Sequence, residues 1–465
     1  MWRLHYSWDW TNTIILAVLG ALGFGFAILM PPFQFNDEHA HFVRAYEISR
    51  GDWIGRPDPR TPADVFAAIQ RYPERTEPAG STAEFSGARL VADTRTVAVF
   101  PGPARGSLQF FKWGLLASQS YWPVAYAPAS IGIAIASIFD LPVTGMLYAG
   151  RCVNVLCFLA AVAATLLLAP QYRGLLAAVA LMPMTVLQAA AVSADQVTIA
   201  LALLVFGLVL RAREAPVSWR YLAVLLIVAA NLALCKYSLW VLPLLLLIPD
   251  ARFGGRARRV AYLLAVVLVT AVLIVGWRHL TSEASAAHRL AGLSRGIDFT
   301  RNTRLFLNHP LAVVTDITAP TGFSHLAYLE MMLHRFIGVF GWRLAGVPHA
   351  TPYLVMLLAV ALVEVNPKPF SAMERLLLLA IFLGAVVATY FVLYVIDGVY
   401  SGGHAGFSSA GVQGRYMIPY CLAGLLAINQ KWFKVSSRVL ASIVPAVAAI
   451  YGVLAFSAIS RFYYR

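Results

Sequence analysis

Charge is scarce in this chain. Of its 465 residues only 12% are Asp, Glu, Lys or Arg, about half the share of an ordinary soluble domain. Carboxylates are scarcer than cations, 22 against 36. Cysteine is scarce too: Cys152, Cys157, Cys235 and Cys421 all sit inside apolar runs. That leaves no disulfide framework and no CxxC metal spacing, and the four read as buried, inert thiols. No Walker-type loop, HExxH or GxSxG element is present, so those three motif-borne chemistries are excluded. GALGFG at 20–25 imitates a dinucleotide fingerprint, but it lies within an apolar span with no acidic ribose partner after it. The absence of an internal repeat removes sequence support for an inverted-repeat transporter.

What the chain has is hydrophobic length. Sixty per cent of residues are hydrophobic and the mean hydropathy is +0.70. A membrane span needs roughly 20 mainly apolar residues, and such runs recur from 13–30 to 439–457. Several runs are only about 12–16 residues long and suit tilted or broken helices. The first is too long for a signal-peptide core and is closed by Pro31-Pro32, so it is expected to be retained as a helix. These patterns predict an all-α polytopic membrane protein, a single integral domain over 1–465, with about 11–13 transmembrane helices.

The net charge of +14 would suggest nucleic acid in a soluble protein; here its placement argues otherwise. QYR at 171–173, RARE at 211–214, ARFGGRARR at 251–259 and QKWFK at 430–434 are short basic loops, which mark a cytoplasmic side. Most acidic residues fall in two long polar stretches, 31–121 and 281–350, expected to be the first and second external loops. Residues 124–139 pose a topological difficulty. If 31–121 is external and QYR internal, that apolar segment must be a re-entrant hairpin, or one basic loop breaks the rule. The hairpin is favoured. From Phe35 to Ile48, apolar Phe42, Ala45 and Ile48 recur at helical spacing beside Glu38, Arg44 and Glu47, as in a juxtamembrane helix at the interface.

Chemistry-bearing residues concentrate where the first run ends. Asp37 and Glu38 follow it by about seven residues, with His39, His41 and Arg44 after them. A carboxylate there is reachable from water and could take a proton from an acceptor hydroxyl; equally, Asp37 could cap the interfacial helix. Asp195, between two apolar runs, is either a helix cap or an ionisable group placed for function. Lys236 and Arg151 interrupt apolar runs. Each could snorkel to an interface or hold a phosphate within an internal cavity. A late Gly-rich loop, 401–420, brings Gln413, Arg415 and Tyr416 to the next helix. Glycine lets backbone N–H groups approach an anion, and Arg415 supplies a planar fork suited to phosphate. Trp342 and Arg343 of FGWR are expected to be interface anchors.

These blocks also carry a resemblance. DExxHF with an Arg-Ala pair (Asp37, Glu38, His41, Phe42, Arg44, Ala45), YWPVAYAPASIGIAI at 121–135, AGRCVN at 149–154, MPMTVLQAAAVSADQ at 182–196, FGWR at 340–343 and GVQGRY at 411–416 stand in order along nearly the whole chain. The pattern resembles a bacterial family of multispanning membrane proteins known as a domain of unknown function. That family looks like a member of the glycosyltransferase C superfamily, which uses polyprenyl-phosphate sugars. The resemblance implies an inverting transferase on the external face of the inner membrane. Asp37 would be the leading base, with Glu38 adjacent, and Asp195 is similar to a second acidic residue. Residue 39 is His where a small residue or Pro is expected, which leaves open whether His39 joins the site. Some superfamily members need a divalent metal, Mg or Mn, and others do not; Asp37, Glu38 and His41 are the residues that could ligate one.

Two other functions compete. A transporter or flippase of lipid-linked glycans would need cationic groups at the headgroup but no carboxylate near an acceptor. A structural partner in envelope assembly would need no buried ionisable groups. In the transferase, Arg415, Lys236, Arg151, His41, Arg44, Gln413 and Tyr416 are the expected substrate and phosphate contacts. The partners are a polyprenyl-phosphate sugar, a glycan or lipid acceptor and membrane lipid, without nucleic acid.

Overall fold

The computed structural model describes residues 9–59, 61–72, 114–311, 324–340, 345–347, 349–364, 368–397, 399–401, 404–406, 412–429 and 435–464. It is an all-α polytopic membrane protein. Its helices are α1 (Trp10–Leu29), α2 (Glu38–Ser49), α3 (Ala63–Arg71), α4 (Ala127–Ile138), α5 (Val143–Leu168), α6 (Arg173–Ala180), α7 (Pro183–Ala190), α8 (Ala194–Glu214) and α9 (Trp219–Leu234). Then follow α10 (Arg256–Leu280), α11 (Ser282–Leu293), α12 (Phe299–Asn308), α13 (His325–Gly338), α14 (Thr351–Val363), α15 (Ala372–Asp397), α16 (Ile418–Ala427) and α17 (Ser437–Tyr463). The only strands among the described residues form two small antiparallel ribbons, Val339–Phe340 with Ala345–Gly346 and Val399–Ser401 with His404–Gly406.

Among the described residues seven helices are long and apolar enough to cross a membrane, and α6 with α7, bent by 76°, would make an eighth if the pair is one broken span. The 11–13 expected spans therefore included apolar pieces too short to be counted by length, such as α14 and residues 123–138. Large apolar side chains face outward on the peripheral helices. Leu264, Leu268, Val272 and Val275 of α10 are all more than 60% exposed, as a lipid-facing surface requires.

Ion pairs identify two ends of the bundle. At one end Arg173 meets Asp9 at 3.0 Å, Gln171 meets Glu214, Arg213 meets Glu374, and Arg252 donates to the Glu214 carbonyl. The basic loops 171–173, 211–214 and the start of 251–259 thus gather on a single face, while 430–434 lies outside the described residues. At the other end lie the residues that follow α1. Helix α8 joins the two ends: Asp195 begins it and Arg213 closes it, about 27 Å apart at 1.5 Å per residue.

The difficulty at residues 124–139 is resolved by packing. Helix α5 runs antiparallel to α1, since Gly23 faces Val155 and Gly20 faces Leu159. The chain therefore returns through α5, and α4 stays at the end where α1 finished. It pairs with the start of α5, where a side chain at Gly132 would sit 2.5 Å from the Ala149 carbonyl; only glycine permits that backbone approach. Arg50 at the end of α2 reaches Ser137 near the end of α4. The expected re-entrant segment is a single helix, α4, lying beside α2 and against the start of α5.

One ion pair fixes this entrance. Arg151 and Glu38 have no solvent-exposed side-chain area and meet at 2.5 and 2.9 Å through two nitrogens. Arg151 also donates to the carbonyls of Ala27, Met30 and Pro31, while Glu38 accepts from Val192 N. The end of α1, the start of α2, α5 and the α7–α8 connection are thereby stapled together. This corrects two expectations. Arg151 neither snorkels nor faces a phosphate, and Glu38 is a structural anchor, not a second catalytic carboxylate. Arg44 needs the same correction: its guanidinium donates to Glu47 at 3.2 Å and to the carbonyls of Asp52 and Trp53 at 3.0 and 2.6 Å. It closes the turn after α2 and has no surface left for a ligand.

Removing one partner of a buried pair leaves an uncompensated charge, at about 3–5 kcal/mol. Arg151→Met and Glu38→Gln are each expected to lower the melting temperature in detergent sharply. The double variant should lose clearly less than the two single losses added. Strict additivity in thermal unfolding would show that the pair is not the staple described.

Candidate functional site

Four charged side chains from four separate segments meet at the end opposite the basic loops. Arg415 lies 3.2 Å from Asp37 and 3.6 Å from Asp195, and Lys236 donates to Asp195 in a very short contact. These residues are 158 to 378 positions from Asp37 in the sequence, or 41 from one another at the nearest. Two carboxylates and two cations give a set with no net charge. Its members are not equally buried: Arg415 and Asp195 are 3% and 6% exposed, Lys236 21% and Asp37 36%. Asp37 thus faces the open side, and Asp195 sits behind the cations.

Backbone geometry shows how the sequence delivers them. Asp37 precedes α2 with φ 60°, ψ 11°, and its side chain makes no capping hydrogen bond. The helix-cap alternative is therefore overturned. Glu38, one residue on, is held inward by Arg151, and the left-handed turn sends the preceding carboxylate outward. Asp tolerates that conformation better than most residues. Lys236 also has positive φ, 52°, and breaks the chain after α9. Two of the four members thus hold a sparsely populated backbone conformation, a kind of strain that gathers at functional sites. Asp195 is not the cap of α8 either. Ser193 takes that role, accepting from the Asp195 N–H at 3.2 Å.

Arg415 enters on a 3-10 turn, Gly414–Met417. A Cβ at Gly414 would stand 2.3 Å from Phe336 N and 2.6 Å from the Met332 carbonyl. This glycine serves close packing on α13, and no backbone anion cradle is formed by it. Residues 402, 403 and 407–411 of that Gly-rich loop lie outside the described residues, as do Trp342 and Arg343. Gln413 is tied to Asn36 at 3.0 Å, so its role is to join this turn to the Asp37 loop. Tyr416 receives both cations on its ring, Lys236 Nζ at 5.1 Å and Arg415 Cζ at 5.2 Å from the centroid, a cation–π arrangement.

An aromatic wall adjoins the four charges, and sequence reasoning did not single it out. Tyr121 faces Lys236 Nζ from 5.9 Å and stacks on His41 with centroids 6.0 Å apart. His41 Nδ1 lies 2.7 Å from the Tyr126 hydroxyl. The only signal for Tyr121 and Tyr126 was their place in the YWPVAYAP block. Met417, close after Arg415 in the chain, lines an apolar cavity of about 750 Å³ that runs between α13, α14, α15 and α16. Leu379, Leu383 and Val387 on its α15 side are also exposed on the surface, so it opens laterally.

The metal expectation fares differently. Glu38 is committed to Arg151, and His41 Nδ1 to Tyr126. Among the described residues no group of three or more His, Cys, Asp or Glu is placed to hold an ion. Asp37, Glu38 and His41 therefore do not form a joint ligand set.

The family model described as Predicted membrane protein (DUF2142) matches residues 21–423. The chain belongs to that family. Neither the curated proteins nor the solved structures contain a match. The matched region takes in all four charged residues and the Arg151–Glu38 staple.

Burial pushes His41 down to about 4, against the opposing pull of Asp37. Its folded value is thus below that of the unfolded chain, about 6.5, so the unfolded state binds more protons between them. Stability from neutral His41 is full above about pH 6.5 and falls as pH drops toward 4. His41→Gln is expected to flatten the melting-temperature profile in that window. An unchanged profile would mean that another group governs it.

Proposed function

We propose that this protein is an inverting glycosyltransferase of the glycosyltransferase C type. It would move a sugar from a polyprenyl phosphate to an envelope glycan or lipid. The observation that carries the proposal is the partly exposed Asp37 carboxylate, 3.2 Å from a buried arginine, together with a laterally open apolar cavity whose lining reaches Met417, close after that arginine in the chain. A lipid-linked sugar phosphate needs those three things together: a base for the acceptor, cations for the phosphate and an apolar path for the polyprenyl chain.

In the reaction the acceptor hydroxyl attacks the anomeric carbon from the face opposite the phosphate. Asp37 takes the hydroxyl proton as the new C–O bond forms. The bond from the anomeric carbon to the phosphate oxygen breaks, and the leaving polyprenyl phosphate carries away the electron pair and one more negative charge. Arg415 and Lys236 hold that growing charge, where electrostatic stabilisation is most effective. Asp195 keeps both cations in place and ionised. The cluster of basic loops at the far end favours a cytoplasmic position for that end. By the same rule the site faces the exterior of a bacterial inner membrane, in the periplasm where there is one.

A flippase would need the cations and the cavity but has no use for a solvent-facing carboxylate against the phosphate-binding arginine. The two functions separate in one experiment. Purified protein in liposomes is given a panel of polyprenyl-phosphate hexoses and pentoses with glycolipid acceptors. Release of polyprenyl phosphate and movement of the intact donor across the bilayer are both followed. Wild type is expected to release polyprenyl phosphate. Asp37→Asn should lose at least about a hundredfold in rate, the usual worth of a general base, while remaining monodisperse. Full activity of Asp37→Asn would refute the assignment, and donor movement without release would favour the flippase.

A further inference from the structure

We infer that Tyr126 locks His41 in a single neutral tautomer, protonated at Nε2, and so makes it a hydrogen-bond donor to the bound sugar or its phosphate. The identity of that bound group rests on the proposed transfer; the tautomer does not.

The argument starts from the phenol. Tyr126 is 1% exposed, and its hydroxyl has one hydrogen-bond partner among the described residues, His41 Nδ1 at 2.7 Å. Were the hydroxyl only to accept, its own proton would be buried without a partner, at a cost of about 1–3 kcal/mol. The O–H therefore donates, and Nδ1 accepts. A neutral imidazole that accepts at Nδ1 carries its proton on Nε2. The cationic ring, with N–H at both positions, would strip the phenol of its acceptor, and burial already opposes that cation.

Nε2–H is the remaining polar atom of the ring. It has no protein partner among the described residues, and its neighbours do not seal it off. The ring is placed on the site wall: it stacks on Tyr121, whose face also meets Lys236. The charges that act on it are those of Asp37, Lys236, Asp195 and Arg415. In that set every cation is already matched by a carboxylate. A neutral donor adds a contact for a sugar hydroxyl or phosphate oxygen without changing the charge balance. It also argues against metal ligation, since Nε2 could bind an ion only after giving up its proton and handing the Nδ1 lone pair a new one.

The test separates the two ring nitrogens. Protein labelled with ¹⁵N-histidine is reconstituted in nanodiscs, and the His41 signal is assigned by its loss in His41→Gln. From pH 5 to 8 it should show bare Nδ1 and protonated Nε2, and Tyr126→Phe should convert it to a mixture. Polyprenyl phosphate alone should shift Nε2 and leave Nδ1 in place. A protonated Nδ1 at pH 7 in wild type, or no change in Tyr126→Phe, would overturn the inference. Turnover gives an independent arm, because glutamine places an N–H near the position of Nε2 and asparagine near that of Nδ1. His41→Gln should keep most activity, while His41→Asn and His41→Ala lose about tenfold, a single hydrogen bond's worth. Equal loss in all three would remove the donor role. If wild type transfers no sugar but the nitrogen signals behave as stated, the tautomer stands and the transfer reaction falls.

Discussion

A carboxylate and a guanidinium that see no water hold the functional end of this protein in register. Arg151 comes from α5, Glu38 from the start of α2, and between them they bind the last carbonyls of α1 and the chain entering α8. Bringing two charges out of water is costly, and such pairs are weak evidence for stability by themselves. Here the pair has a positional consequence. With Glu38 drawn inward and α2 starting at that residue, the carboxylate before it must leave the helix in the opposite sense. The left-handed backbone at Asp37 is the local expression of that constraint. Two adjacent acidic residues therefore have separate occupations, one holding the scaffold and one facing the site.

The distribution of charge extends the same logic across the bundle. Among the described residues ion pairs gather toward two ends of the bundle, and the protein uses them differently. At the basic end, arginines pair with carboxylates and also bond to backbone carbonyls, as Arg213 does at Lys368 and Arg252 at Glu214. At the other end the charges are balanced and converge from distant segments. Unpaired ions near membrane depth are expensive, and in this set each cation has a carboxylate neighbour. Asp195 Oδ2 and Arg415 Nε lie 3.6 Å apart and make no hydrogen bond. The pairing is electrostatic and loose.

Much of this was legible in the sequence, and the legible parts share a cause. Composition and run length gave the polytopic helical fold because hydrophobic length is a local property. Loop charge gave the gathering of 171–173 and 211–214 at one end for the same reason. Asp37, Asp195, Lys236 and Arg415 could each be suspected, since an ionisable residue at the edge of an apolar run is rare enough to notice. What sequence could not give was which partner each would find. Arg151 and Lys236 look alike as interruptions of apolar runs, yet one is sealed against Glu38 and the other reaches the site. Glu38 and Asp37 are neighbours, and only the tertiary contact to Arg151 separates them. Tyr126 was invisible because a tyrosine in an apolar block carries no signal until its hydroxyl has a partner.

The pairing of Asp37 with Arg415 bears directly on the proposed chemistry. A carboxylate held by a guanidinium at 3.2 Å is engaged with that cation and must be released before it can meet an acceptor hydroxyl. An anionic donor changes that balance. As a phosphate draws Arg415 and Lys236 to its own oxygens, Asp37 loses part of its counter-charge at the moment the acceptor needs deprotonation. Asp195, nearly buried, remains to hold the cations and prevents them from following the phosphate outward. In the proposed reaction the unequal exposure of the two carboxylates then matters: the exposed one can be freed to meet the acceptor, while the buried one stays with the cations. A site with four fixed charges can in this way couple occupation by the donor to activation of the base, with no moving domain.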